Sequence, residues 1–75
     1  MIQIKLKVNR NENFTASSLM WRYAKENNLL CIYKHFKTYI QLNGELWSYC
    51  YWEITPCEDS PEYDTVTLYL IKKEN

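Results

Sequence analysis

The pair Asn43-Gly44 constrains the fold of this chain more than any other local feature. Asn-Gly suits a type I′ turn, because both central residues of that turn need a positive φ angle. Strand-like sequence flanks the pair on both sides, over residues 29–42 and 45–54. The chain is therefore expected to form a β-hairpin with a two-residue loop, in which Leu42 lies opposite Glu45.

This register predicts which side chains share each face of the hairpin. One face is expected to pair Ile40 with Trp47, Thr38 with Tyr49 and Phe36 with Tyr51. The opposite face is expected to pair Gln41 with Leu46, Tyr39 with Ser48, Lys37 with Cys50 and His35 with Trp52, with Ile54 just beyond. Both faces are thus predicted to be apolar and aromatic, which is unusual because antiparallel sheets commonly keep one face polar.

The rest of the chain predicts one helix and two further strands. Residues 2–8 alternate apolar and polar side chains, which is the period of a half-buried strand. Thr15 is the expected N-cap of a helix of about 13 residues, ending near Asn27-Asn28, with Phe14 and Leu19 at the spacing of a hydrophobic staple. A stripe at helical spacing should face the core and comprises Ala16, Leu19, Met20, Tyr23 and Ala24.

The predicted fold is a single α+β domain over residues 1–75, in the order β-α-β-β-β. One helix packs on one face of a mostly antiparallel four-stranded sheet. Residues 29–42 are interpreted as one strand with a break or bulge near Lys34-His35, and residues 65–70 as the last strand. A helix about 20 Å long can cover only one face of the sheet, so a second aromatic face is expected to remain uncovered.

Composition limits the function classes. The chain has 75 residues, of which 47% are hydrophobic and 24% charged, which is ordinary for one small globular domain. Aromatic residues reach 16%, which is more than a core of this size can easily hide. The start lacks the apolar run of a signal peptide, and no run approaches the ~20 residues of a membrane span. A cytoplasmic protein with no membrane association and reduced thiols is expected.

The uncovered aromatic face predicts protein binding, because Tyr and Trp combine a large apolar area with a polar tip. The alternative is that cross-strand aromatic pairs only stabilise the sheet. The expected partner-binding residues lie on the hairpin and in the acidic loop after it: Tyr39, Leu46, Trp47, Tyr49, Trp52, Glu58, Asp59 and Glu62. The partner is another protein or a second copy in a homodimer.

Nucleic-acid binding is the alternative function, because aromatic and basic residues interleave at Trp21-Arg22 and near Lys34 and Lys37. Phe36, the aromatic residue between Lys34 and Lys37, is also expected to belong to the core. The zero net charge and pI near 6.5 are unfavourable for binding phosphates. Charge is nevertheless uneven: seven basic residues against two acidic ones precede Glu45, and the reverse holds from Glu45 onward. The acidic loop can equally be a solvated loop with no partner.

Catalytic and metal sites are not expected. The spacing of Cys31, His35, Cys50 and Cys57 lacks the close Cys pair of a zinc site, and an extended segment separates the first two by about 13 Å. With one His and one Gly, the chain offers no nucleophile, base and orienting group in a recognisable pattern. We therefore predict a non-catalytic binding module without cofactors. Abundant Asn, Lys, Ile and Tyr add the hypothesis of a phage or mobile-element inhibitor of a host enzyme or defence complex.

Overall fold

The computed structural model describes residues 1–74 and contains one helix and five strands. The elements are β1 (Ile2–Asn9), α1 (Ala16–Glu26), β2 (Cys31–Lys34), β3 (Lys37–Leu42), β4 (Glu45–Pro56) and β5 (Tyr63–Lys72). They form one sheet in the order β1-β5-β4-β3-β2, in which every neighbouring pair is antiparallel. The predicted α+β fold with one helix on the sheet is confirmed.

The prediction of four strands is wrong, because residues 29–42 form two strands instead of one. A tight turn at His35-Phe36 separates β2 from β3, and Lys34 pairs with Lys37 across it. Both turn residues have positive φ angles, 52° for His35 and 65° for Phe36. This turn also removes two predicted pairs, Phe36 with Tyr51 and His35 with Trp52, because neither turn residue lies in a strand.

The helix begins and ends where the sequence predicts. Thr15 is the N-cap; its hydroxyl accepts a hydrogen bond from the Ser18 amide, and the Ser18 hydroxyl accepts one from the Thr15 amide. This reciprocal pair is a capping box formed with serine in place of the usual Glu or Gln. The C-terminal cap is Asn27, followed by Asn28 with a φ of 55°.

The core lies between α1 and one face of the sheet, called here the helix face. Leu19, Met20 and Ala24 are the fully buried residues of the helix. The sheet contributes alternate residues of β1 and β5 together with one residue of β3: Ile4, Leu6, Val8, Val66, Leu68, Leu70 and Ile40. Each such side chain contributes about 1.5–3 kcal/mol when it is fully buried.

The predicted hairpin register is confirmed from Leu42/Glu45 as far as Tyr39/Ser48, where the ladder of β3 with β4 ends. Beyond that point β4 pairs only with β5, and the register of that pairing shifts. Tyr49 pairs with Leu70, but the next paired residue is Tyr51, opposite Tyr69, so Cys50 is the extra residue of a β-bulge. The bulge shifts the alternation of side chains by one residue. Trp52 and Ile54 pair with Leu68 and Val66 and thus lie on the helix face. Their predicted place on the face of Tyr39 and Leu46, called here the open face, is wrong.

Within residues 1–74 there is no helix with the length and apolar character that crossing a membrane requires.

Candidate protein-binding edge

The strand β4 is twice as long as its neighbour β3, with 12 residues against six. Their ladder ends at Tyr39/Ser48, whereas β4 continues to Pro56 alongside β5. Residues 49–56 of β4 therefore present one edge that no strand of residues 1–74 pairs with. We call this segment the free edge.

The hydrogen-bond phase of β4 identifies the backbone groups that point out of the free edge. In a two-residue hairpin the residues next to the turn form a hydrogen-bonded pair, so Glu45 and Trp47 direct their backbone groups toward β3. Residue 46 then faces β5, in agreement with the 2.7 Å hydrogen bond from the Lys73 amide to the Leu46 carbonyl.

The Cys50 bulge reverses this phase, so Trp52 and Ile54 direct their amides and carbonyls outward at the free edge. The next outward position is Pro56, which has no amide to leave unpaired. Proline is tolerated in strands at such edge positions.

Large apolar side chains follow the free edge on the helix face. Tyr49 and Trp52 are each 41% exposed and Ile54 is 45% exposed. The Trp52 ring is held by an edge-to-face contact with Phe14, with ring centroids 5.5 Å apart. The aromatic ring is thus partly fixed before any partner arrives, which lowers the entropy cost of binding.

On the open face the free edge carries Tyr51, which stacks on Tyr69 with ring centroids 4.4 Å apart. Burial and the nearby Glu53 carboxylate raise the pKa of the Tyr69 hydroxyl above its ordinary value. The Tyr51–Tyr69 stack gives the free edge an aromatic surface on its second face as well.

A cleft of about 360 Å³ opens beside Tyr49, between the start of α1 and the β2–β3 turn. Its apolar lining includes Met20, Tyr33 and Phe36. Phe36 is 92% exposed and Tyr33 is 64% exposed, so the two rings are accessible to a partner. Ser17 and Thr38 also line the cleft, and their hydroxyls are joined by a hydrogen bond.

The predicted partner-binding residues of the sheet separate onto two faces. Tyr49, Trp52 and Trp47 lie on the helix face, where Trp47 packs against the core and its buried Nε1 has no hydrogen-bond partner within residues 1–74. Tyr39 and Leu46 lie on the open face. Tyr39 is only 6% exposed, with the Lys73 ammonium 5.9 Å from its ring centroid, so little of this ring is left for a partner.

The predicted acidic residues Glu58, Asp59 and Glu62 are exposed in the loop of residues 57–62, called here the acidic loop. This loop joins β4 to β5 at the end of the free edge. At its base, Arg10 forms an ion pair with Asp64 at 3.2 Å, and the Arg10 amide donates to the Glu62 carbonyl. The loop is thus anchored, while its carboxylates face solvent.

The residues predicted for nucleic-acid binding lie on three different elements, α1, β2 and β3. Trp21, 46% exposed, and Arg22 belong to α1, where the Arg22 guanidinium forms an ion pair with Glu12. Lys34 and Lys37 face each other across the β2–β3 turn. The structure does not gather the four into one basic surface on a single element.

No group of three or more metal-ligating side chains occurs within the described part of the chain, residues 1–74. Cys31, His35, Cys50 and Cys57 therefore do not meet in one cluster. Burial raises the pKa of the Cys31 thiol, which keeps it in the neutral form at neutral pH, and Cys50 is exposed at the bulge.

Sequence reasoning missed three components of this site: the unpaired backbone edge, and the exposed rings of Tyr33 and Phe36. The only sequence signal for an edge is Pro56, which is compatible with an edge strand but not with a central one. The expectation that Phe36 belongs to the core is wrong, because its ring is exposed at the β2–β3 turn.

Comparison with protein-family models, with curated proteins and with solved structures finds no match.

Proposed function

We propose that this chain is a non-catalytic protein-binding module that takes an extended segment of its partner as an added strand on the free edge of β4. The observation that carries the proposal is the unpaired edge of residues 49–56, next to exposed aromatic side chains. Strand addition uses main-chain hydrogen bonds for affinity and alternate side chains for specificity.

The other edges of the sheet support this choice of site. The edge strand β1 carries the exposed side chains of Lys5 and Lys7. Charged residues on an edge strand discourage the addition of further strands. The opposite edge strand, β2, has only four residues. The free edge has eight residues and a single charged side chain, Glu53, so it is the least protected edge of the sheet.

The side chains beside the free edge supply contacts for a partner. The rings of Tyr49 and Trp52 flank the backbone groups that point outward, and aromatic residues of this type dominate binding energy at interfaces. The cleft next to Tyr49 extends this surface toward Phe36. In the inhibitor hypothesis the added strand belongs to a host enzyme or defence complex, and this hypothesis stays a prediction.

Selection from a library of random peptides tests the proposed function and does not require an identified partner. The full chain is immobilised sparsely through its N-terminus and panned against the displayed peptides. Binders should prefer β-forming sequences. Their affinity should fall at least about tenfold with Ile54→Pro, which removes one outward amide and leaves the β5 ladder intact, a loss of about 1.4 kcal/mol.

Two control variants separate the contribution of the Ile54 amide to peptide binding from that of side chains. Ile54→Ala keeps the amide and removes only the side chain, so it should weaken binding less than Ile54→Pro. Trp21→Ala removes a tryptophan of similar exposure on α1 and should leave peptide binding unchanged. Peptides that bind equally well to Ile54→Pro, with unfolding curves showing that the variant is folded, would contradict strand addition.

Nucleic-acid binding is the second candidate, and the paired Lys34 and Lys37 favour it. It predicts that labelled single-stranded DNA shifts in a native gel at low salt, and that the shift is lost with Lys34→Glu or Lys37→Glu. The absence of a shift at low salt would end this alternative.

A further inference from the structure

We propose that the strand added at the free edge is β4 of a second copy of this chain, paired antiparallel about a two-fold axis. In this dimer the acidic loop of each copy contacts Lys34 and Lys37 of the other. The inference rests on the proposed strand addition, because it names the occupant of that edge.

The charges at the two ends of the free edge point to a second copy. The end at Tyr49 lies beside the β2–β3 turn with Lys34 and Lys37. The end at Pro56 leads directly into the acidic loop. Two antiparallel copies of such an edge bring unlike charges together at both ends, which is the self-complementarity that a two-fold interface requires.

Within residues 1–74 neither lysine has a carboxylate partner. They are directly opposite each other in the β2–β3 ladder, an arrangement that is unfavourable for like charges. The three ion pairs within residues 1–74 involve Arg10, Arg22 and Lys72, and none involves either lysine. An acidic loop from a second copy would neutralise this repulsion.

The hydrogen-bond phase of β4 selects a register. A pairing centred on Ile54 places its outward backbone groups against those of Ile54 in the second copy. It also places the Trp52 amide against the Pro56 carbonyl of the second copy, so this pair keeps one of its two hydrogen bonds and loses only the one that a Pro56 amide would donate to the Trp52 carbonyl. Glu53 then lies opposite Thr55, whereas a pairing centred on Glu53 would bring two carboxylates face to face.

The same pairing continues the sheet across both copies. Side chains that are directly opposite in a ladder share a face, so both helices lie on the same side of a ten-stranded sheet. Pro56 of the second copy lies opposite Trp52 of the first. The acidic loop that follows Pro56 then runs along Tyr49 of the first copy toward its cleft, which Phe36 also lines. The exposed rings beside the free edge are then covered by the interface.

The deciding experiment exchanges the charges at the two ends of the edge. One variant carries Lys34→Glu and Lys37→Glu, and the other carries Glu58→Lys and Asp59→Lys. Sedimentation velocity of the full chain, over about 1–100 µM, should show a dimer for the original sequence. Each variant alone should dimerise at least about tenfold more weakly, because like charges then meet at both ends.

An equimolar mixture of the two variants should restore the dimer. In the mixed dimer one end pairs the original charges and the other end pairs the exchanged ones, so both ends are complementary. Restoration is the expected result, and it cannot come from either variant simply being better folded. A mixture that stays as monomeric as its components would overturn the two-fold arrangement.

Two further results would overturn the inference. The first is an original chain that remains monomeric at about 100 µM. The second is a dimer whose affinity is unchanged by Ile54→Pro. In either case the peptide selection still tests the proposed function separately. If peptide binding depends on the Ile54 amide, strand addition at the free edge is supported, and only the choice of a second copy as the added strand is wrong.

Discussion

His35 and Phe36 occupy the left-handed region of backbone conformation, which costs a non-glycine residue roughly 1–2 kcal/mol. The other two-residue turn of the sheet has the residues suited to this geometry, Asn43 and Gly44. Phe36 also leaves its ring 92% exposed, so it contributes almost no burial to the fold. The turn is thus less stable than the same turn would be with Asn and Gly at these two positions.

Replacing His35 by Asn together with Phe36 by Gly should stabilise the fold by about 1–2 kcal/mol, because both new residues tolerate a positive φ. Urea unfolding measures the change in the free energy of unfolding. Phe36→Ala, which keeps the unfavourable φ, should give no comparable gain. A destabilised double variant would show that the Phe36 ring supports the fold.

Thr15 closes the first turn of α1 through its hydroxyl, and Thr15→Ala should cost about 1 kcal/mol of stability. Thr15→Ser retains the hydroxyl and should lose only a few tenths of that amount. Thermal unfolding followed by circular dichroism compares the two variants. Equal losses would mean that the threonine methyl group, and not the cap, stabilises the helix.

At the scale of elements, the sequence predicted the features that depend on one segment alone. The alternation in β1, the N-cap of α1 and the Asn43-Gly44 turn are all local, and the structure contains each of them. An interruption near Lys34-His35 was predicted, but not that it is a turn that makes β2 and β3 separate strands, because His-Phe has no turn preference. The Cys50 bulge could not be predicted either, because it is a property of β4 paired with β5.

The two exposed tryptophans should respond differently to substitution. Trp52→Ala removes the contact with Phe14 and part of the apolar cover of the helix face, so we expect a loss of about 1–3 kcal/mol. Trp21→Ala, on the outer side of α1, should change stability by less than about 0.5 kcal/mol. Urea midpoints compare the variants, and equal midpoints would contradict the assigned role of Trp52.

At the scale of the whole molecule, stability depends on one thin core under a single helix. Leu68 is fully buried there, and Leu68→Ala should cost about 2–5 kcal/mol, a large fraction of the total for a domain of this size. Leu68→Met keeps the volume and should cost less than about 1.5 kcal/mol. Chemical denaturation of both variants checks the difference; a mild Leu68→Ala would place the main core elsewhere.

The candidate site was predictable only in part. The excess of aromatic residues on the hairpin predicted a binding surface, and two of the residues that it named, Tyr49 and Trp52, are exposed beside the free edge. The face of Trp52 depends on the bulge, and the exposure of the edge depends on β3 being shorter than β4. Both are relations between strands, which a single sequence does not display.

The bulge also changes how this sequence can evolve. Losing one residue from the middle of a strand normally turns every following side chain to the wrong face. At Cys50 the opposite holds, because Tyr49 and Tyr51 already occupy consecutive pairs on β5. Loss of this one codon would straighten the strand and leave Trp52 and Ile54 where they are. A deletion just after Tyr51 would instead turn Trp52 and Ile54 to the other face, so Cys50 is the position of β4 at which the gene can lose a codon and keep the faces of this strand.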